Sequence, residues 1–114
     1  MDSRERTHRN LLVWKQALEL AVRVTDLSNA FLPKFGYALR DQMQRSAISV
    51  PSNIAEGSGR RTKKDFLGFL RIARGSLREL DTQVEIAQRI GALTPVQGEE
   101  ILLACDSVGR LLSR

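Results

Sequence analysis

The sequence predicts an all-α fold, an antiparallel up-down-up-down four-helix bundle with a proline-kinked second helix. Three observations predict it. Four stretches carry apolar residues at alternating spacings of three and four, the period of one helix face. They are joined by short Gly- and Pro-containing breaks, which suit antiparallel neighbours. No alternating apolar and polar run competes as a strand. Composition agrees: 42% of the 114 residues are apolar, 5% are aromatic, and Leu, Ala, Arg and Ile are abundant. Such a chain can bury one core and is expected to form one domain over 11–114, after a flexible polar N-terminus over 1–10.

The first helix is expected from about Leu11 to Phe31. Val13, Ala17, Leu20, Val24, Leu27 and Phe31 form its core face. Trp14, Leu18 and Ala21 widen that face, and Glu19 and Arg23 are placed as an i, i+4 ion pair. Pro33 and Gly36 end the helix.

The second helix is expected from about Tyr37 to Glu56, with Leu39, Met43, Ala47, Val50 and Ile54 facing the core. Pro51 lies inside it. Proline removes a donor and crowds the carbonyl four residues back, so a kink is expected there. Asn53 and Glu56 are then placed to satisfy backbone groups that Pro51 frees. Gly57-Ser58-Gly59 supplies the C-terminal stop.

The third helix carries the longest seam. Phe66, Leu70, Ala73, Leu77, Leu80, Val84 and Ala87 repeat every three or four residues over three heptads. Thr62 is its expected cap, with Asp65 in the capping-box position. Gly91 suits a left-handed cap at its end. Thr94-Pro95-Val96-Gln97 then reads as a full capping box with proline in the first helical position. Ile101, Cys105, Val108 and Leu112 face the core from the fourth helix, and Arg110 and Arg114 suit its negative dipole end.

Charge is unevenly spread. The chain carries +5 overall, yet Arg40 to Arg78 alone holds nine cations against three acids, a local balance of +6. Fourteen of the 18 cations are Arg, whose planar fork suits phosphate, carboxylate or interface pairing. On the third helix Lys64, Arg71, Arg74 and Arg78 fall within an arc of about 80° directed away from the seam. Gly68 and Gly75 lie beside this stripe, and each costs about 1 kcal/mol relative to Ala. They are candidate oligomer-interface positions; relief of a clash inside the bundle is the local alternative. Arg60, Arg61, Lys63 and Lys64 gather at the start of the third helix, where free backbone donors and the Thr62 hydroxyl could hold a phosphate. The candidate nucleic-acid or phosphate set is therefore Arg60, Arg61, Lys63, Lys64, Arg71, Arg74 and Arg78.

Catalytic and metal chemistry find little support. Cys105 is the only cysteine and sits on an apolar face, so it reads as a buried, inert thiol. His8, the only histidine, lies among Arg4, Arg6 and Arg9 with no partner base, and is expected to be exposed and frayed. Gly57 to Lys64 lacks the spacing and the preceding strand of a nucleotide-binding loop. Glu56 stands without a second acid or base. No metal, cofactor or enzymatic activity is expected. The polar start of the chain does not read as a secretory signal, and no apolar run approaches the roughly 20 residues of a membrane span. A cytoplasmic location with no membrane association is expected.

The run Ser49-Val50-Pro51-Ser52-Asn53-Ile54-Ala55-Glu56-Gly57 is followed by Arg60, Phe66, Phe69-Leu70 and Ala73-Arg74-Gly75-Ser76-Leu77-Arg78-Glu79-Leu80. With Val13-Trp14, this pattern resembles the bacterial four-helix-bundle family encoded in intervening sequences of 23S rRNA genes. The resemblance covers about Leu11 to Leu93. It implies a four-helix bundle, a structural motif at Pro51, Asn53, Glu56 and Gly57, and a homopentamer with a central channel. It also implies a distant similarity to the accessory variability proteins of diversity-generating retroelements, which are basic pentameric bundles that associate with nucleic acid. Two departures stand out. Gln42-Met43-Gln44-Arg45-Ser46-Ala47 lacks the paired Arg common in the family's second helix, and Gly36-Tyr37 reverses its Tyr-Gly order.

Two functions compete. One is a non-enzymatic homo-oligomer, pentameric by resemblance, whose basic surface binds RNA or DNA as an accessory to another protein. The other is a structural or adaptor oligomer whose Arg residues serve subunit or protein-partner contacts, with no nucleic-acid binding. No aromatic platform accompanies the Arg stripe in sequence, so base-specific recognition is not expected.

Overall fold

Four helices follow in order: α1 (Leu12–Asn29), α2 (Ala38–Ser58), α3 (Lys63–Arg89) and α4 (Pro95–Leu112). They are seen in a computed structural model that describes residue 8 and residues 11–113. One turn of 3-10 helix, Pro33–Phe35, bridges α1 and α2. Each helix packs on the next and α1 also packs on α4, so the four close around a single core. The molecule measures 52 × 21 × 20 Å. That elongated shape suits a bundle whose longest helix has 27 residues and a length of about 40 Å.

Local signals set the helix ends. The Thr94 hydroxyl accepts from the Gln97 N–H at 3.1 Å, and the Thr94 N–H donates to Gln97 Oε1 at 3.0 Å, which completes the capping box. At α3 the Thr62 hydroxyl accepts from the Asp65 N–H at 3.1 Å, and Asp65 adds its charge to the first turn. Gly91 has φ +84°, and the Ala92 N–H reaches back to the Ala87 carbonyl at 2.8 Å to close the helix end.

Pro51 lies inside one continuous helix, as the apolar pattern on both its sides predicts. The neighbouring side chains bond differently from expectation. The carbonyl freed by Pro51 belongs to Ala47. Asn53 Nδ2 instead donates to the Ser49 carbonyl at 2.8 Å and to Ser49 Oγ at 2.9 Å. Ser49 Oγ lies 2.7 Å from Ser76 Oγ, so Asn53, Ser49 and Ser76 tie α2 to α3. Glu56 accepts from Arg60 at 2.8 Å. Neither side chain compensates the Ala47 carbonyl.

Gly57 proves to be a packing residue. It is buried within α2, and a Cβ there would lie 2.8 Å from Phe69 Cβ and 3.0 Å from Phe66 Cδ1. The helix runs two residues past Glu56 to Ser58 and is capped by Gly59, the last residue of the expected stop.

The core contains Ala17, Leu20, Val24, Met43, Ala47, Val50, Ile54, Ala73, Leu77, Leu80, Val84, Ala87, Ile101, Cys105, Val108 and Leu112, as the seams predict. Phe66 and Leu70, at the open end of the α3 seam, are half-buried. Leu18 departs from its expected core place and is 41% exposed. It lies about 140° around the wheel from Val13, past the edge of the buried face. Arg23 departs as well. It leaves Glu19 and grips Glu100 of α4 through two bonds of 2.7 and 3.2 Å. The two bonds make a bidentate pair that joins α1 to α4, whereas a single i, i+4 pair along α1 is worth only about 0.2–0.5 kcal/mol.

His8 packs its ring edge-on to Trp14, with centroids 4.8 Å apart, in place of the frayed position expected. The flexible stretch expected over 1–10, with Arg4, Arg6 and Arg9, lies outside the described residues apart from His8, and so does Arg114.

Candidate nucleic-acid interface

The length of α3 leaves a long outer face beyond its buried seam. Lys64, Arg71 and Arg78 stand one heptad apart on it, separated by about 10.5 Å along the axis. All three are exposed. Among the described residues none has a carboxylate within 4.0 Å; the ion pairs there are Arg23–Glu100, Arg40–Asp41 and Arg60–Glu56. Arg61 and Lys63 are exposed at the entrance to the helix.

The expected phosphate cradle at the start of α3 is only partly assembled. The Thr62 hydroxyl is taken by the Asp65 N–H, and Arg60 is held by Glu56. The Arg60 guanidinium also lies over the Phe69 ring, 4.6 Å from its centroid. Arg60, Lys64 and Arg71 instead border a groove of about 510 Å³ along the outside of α3, with Phe69 and Ile72 on its floor and Asp65 as its acid. The sequence reading overlooked this aromatic. Its signal was Gly57: the glycine lets Phe66 and Phe69 press against α2, which sets Phe69 at the groove.

Arg74 leaves the stripe. Its Nη2 donates to the Leu112 carbonyl at 3.0 Å, and the guanidinium turns into a cleft between α3 and α4. On the wheel it is the stripe residue nearest the seam, so it reaches the C-terminal end of α4. Arg78 borders both this cleft and the outer row, and Arg110 joins it from α4.

Gly68 and Gly75 do not relieve a clash inside the bundle. A Cβ at either would meet no atom within 4 Å. Ile72, between them on the same face, is 52% exposed. A second apolar surface lies across α1 and α2, where Trp14, Leu18, Val22, Ile48 and Pro51 line a groove of about 490 Å³.

Burial pushes the Cys105 thiol up to about 12, and the nearby Asp81 and Asp106 carboxylates add to the shift. Desolvation, with Asp106 and Glu85 close by, raises the Asp81 carboxyl above its ordinary value. The hydrogen bond from Arg23 lowers Glu100. Among the described residues no cluster of three or more metal-ligating side chains occurs. No described helix is long and apolar enough to cross a membrane.

The model of the 23S rRNA-intervening sequence protein family matches residues 9–114, and thus all four helices. The chain belongs to this family. Within it, the Ser49–Gly57 run has a structural account here: Asn53 and Ser49 bond α2 to Ser76, and Gly57 lets α3 approach. A crystal structure of a protein with unknown function from the S23 ribosomal protein family of Bacteroides thetaiotaomicron is similar at 29% identity. The likeness covers 89% of this chain and 94% of that one, with a TM-score of 0.83. No curated protein matches the sequence.

Proposed function

We propose that the protein is a non-enzymatic homo-oligomeric bundle that binds the phosphate backbone of RNA or DNA through the outer face of α3. The observation that carries this reading is the row Lys64, Arg71 and Arg78, exposed at regular spacing on the outer face of α3 and without a carboxylate partner among the described residues. Unneutralised cations in a row suit a polyanion, because each phosphate contact releases condensed counterions. Arg60 stacked on Phe69 at the groove adds a planar cation beside the row. With that ring face covered, contacts to phosphate and sugar are favoured over base readout.

The open faces of Gly68 and Gly75 support close approach of a neighbouring subunit, with Ile72 inserted between the chains. The cationic row then lies beside the interface, and each subunit contributes one row to a ring. Five subunits follow from the family resemblance, and a cytoplasmic site of action fits a basic protein that meets nucleic acid there. The test is electrophoretic retardation of structured RNA and duplex DNA at low salt, with wild-type protein and Lys64→Glu/Arg71→Glu. Wild-type protein retards the probe, and the variant fails to do so while keeping its oligomeric mass.

The same glycine face favours a second reading, an adaptor whose Arg residues bridge subunits. Loss of the oligomer on Arg71→Glu, with no retardation by wild-type protein, selects it.

A further inference from the structure

We propose that the cleft between α3 and α4 is a separate anion site that takes a phosphate monoester group, held by Arg74, Arg78 and Arg110. The cleft encloses about 530 Å³, room for a phosphate and a small organic substituent. Three arginines line it, two from α3 and one from α4. The bond to the Leu112 carbonyl fixes Arg74 in place, so its fork is preorganised. Its Nε is buried and has no hydrogen-bond partner among the described residues. The donors that an anionic oxygen in the cleft would meet are the outer N–H groups of Arg74 together with those of Arg78 and Arg110. Neither Arg78 nor Arg110 has a described carboxylate within 4.0 Å.

Asp81 and Asp106 line the same cleft, with Leu77 and Cys105. Asp81 lies about two helical turns from Arg74 but less than one turn from Arg78, and Asp106 lies about one turn from Arg110. Three arginines against two carboxylates suit a compact dianion held by the arginine forks, whereas a phosphodiester chain running along the cleft would meet both carboxylates. The outer row suits singly charged backbone phosphates, whereas the cleft suits a terminal phosphate. That group could come from the phosphorylated end of a nucleic-acid strand or from a free phosphorylated small molecule, and the chemistry at the arginines is shared.

The test is calorimetric titration of the full chain with inorganic phosphate at low salt, compared across Arg110→Gln, Arg78→Gln and Arg71→Gln. Saturable binding of one phosphate per chain is expected. Either of the first two changes should weaken it at least tenfold, and Arg71→Gln should leave it unchanged. No saturable binding to wild-type protein, or an equal loss in Arg71→Gln, overturns the proposal. Because Arg110 and Arg78 are exposed, these variants are expected to keep the fold, and circular dichroism checks it. Arg74→Lys, which keeps the charge and loses the fork, should also weaken binding. A second arm compares duplexes with 5′-phosphate and 5′-hydroxyl ends. Tighter binding of the phosphorylated end, abolished by Arg110→Gln, assigns the site to strand ends; equal binding assigns it to free phosphorylated molecules. Lys64→Glu/Arg71→Glu leaves the cleft intact, so failure of backbone binding and failure of this site are read separately.

Discussion

Replacing both Gly68 and Gly75 with Ala should move stability and assembly in opposite directions. Each glycine sits inside α3 with no atom within 4 Å of the place a Cβ would occupy. In the isolated chain the added methyl groups therefore meet nothing, and the gain is helix propensity alone, about 1 kcal/mol per site. Two sites give about 2 kcal/mol, or about 8 °C in Tm for a domain near this size. In an oligomer that packs on this face, the same methyl groups enter a close backbone contact, where overpacking costs typically 1–3 kcal/mol each. Light scattering on eluting protein reads the mass across a dilution series. Thermal unfolding at the lowest concentration reads the dissociated chain, because Tm depends on concentration when subunits assemble. The expected result is a higher Tm for the dissociated chain together with a shift towards smaller species. An unchanged oligomer with a raised Tm would refute the interface; a lowered Tm in the dissociated chain would refute the open surroundings of the glycines.

Other outcomes follow from the same geometry. Gly57→Ala should destabilise the bundle by about 1 kcal/mol, since overpacking against Phe69 and Phe66 outweighs the propensity gain; urea unfolding midpoints check it. Cys105, with its thiol pushed up to about 12 by burial, should react with a disulfide reagent at pH 8 at least about tenfold more slowly than in urea-unfolded protein. The Asp81 carboxyl is raised in the folded chain, so native protein binds more protons than unfolded protein just above the ordinary carboxylate range, and stability falls as pH rises through it. Asp81→Asn should thus raise Tm at pH 7 and leave it unchanged at pH 3. Glu100 is lowered by Arg23, so its contribution is present above the ordinary carboxylate value and fades as pH falls through its folded value. Arg23→Gln should narrow the Tm difference between pH 7 and pH 3.

The helices and their caps were legible because both depend on neighbours in sequence. The 3.6-residue period marks a buried stripe, and Thr94 and Gln97 bond across three residues. What stayed hidden depends on which helix lies beyond the edge of a stripe. Arg74 and Arg71 belong to one stripe in the sequence, and only the packing shows that the end of α4 captures Arg74, the one nearer the seam. Arg110 reads as a dipole complement until α3 places two arginines across the cleft from it. Gly57 and Gly68 are both helical glycines; only packing shows that one touches Phe69 and the other faces open space. Leu18 is expected to widen the α1 core face, and it borders the outer α1/α2 groove instead.

The most direct test of the backbone-binding reading is the salt dependence of duplex binding, measured by fluorescence anisotropy at 50 and 200 mM salt. Three phosphate contacts from Lys64, Arg71 and Arg78 give a slope of about −2.7 in log K against log salt, an affinity loss of about 40-fold over that range for each engaged subunit. A loss of that size or larger, abolished in Lys64→Glu/Arg71→Glu, is the predicted result. Absence of binding at 50 mM salt, or binding indifferent to salt, would contradict it.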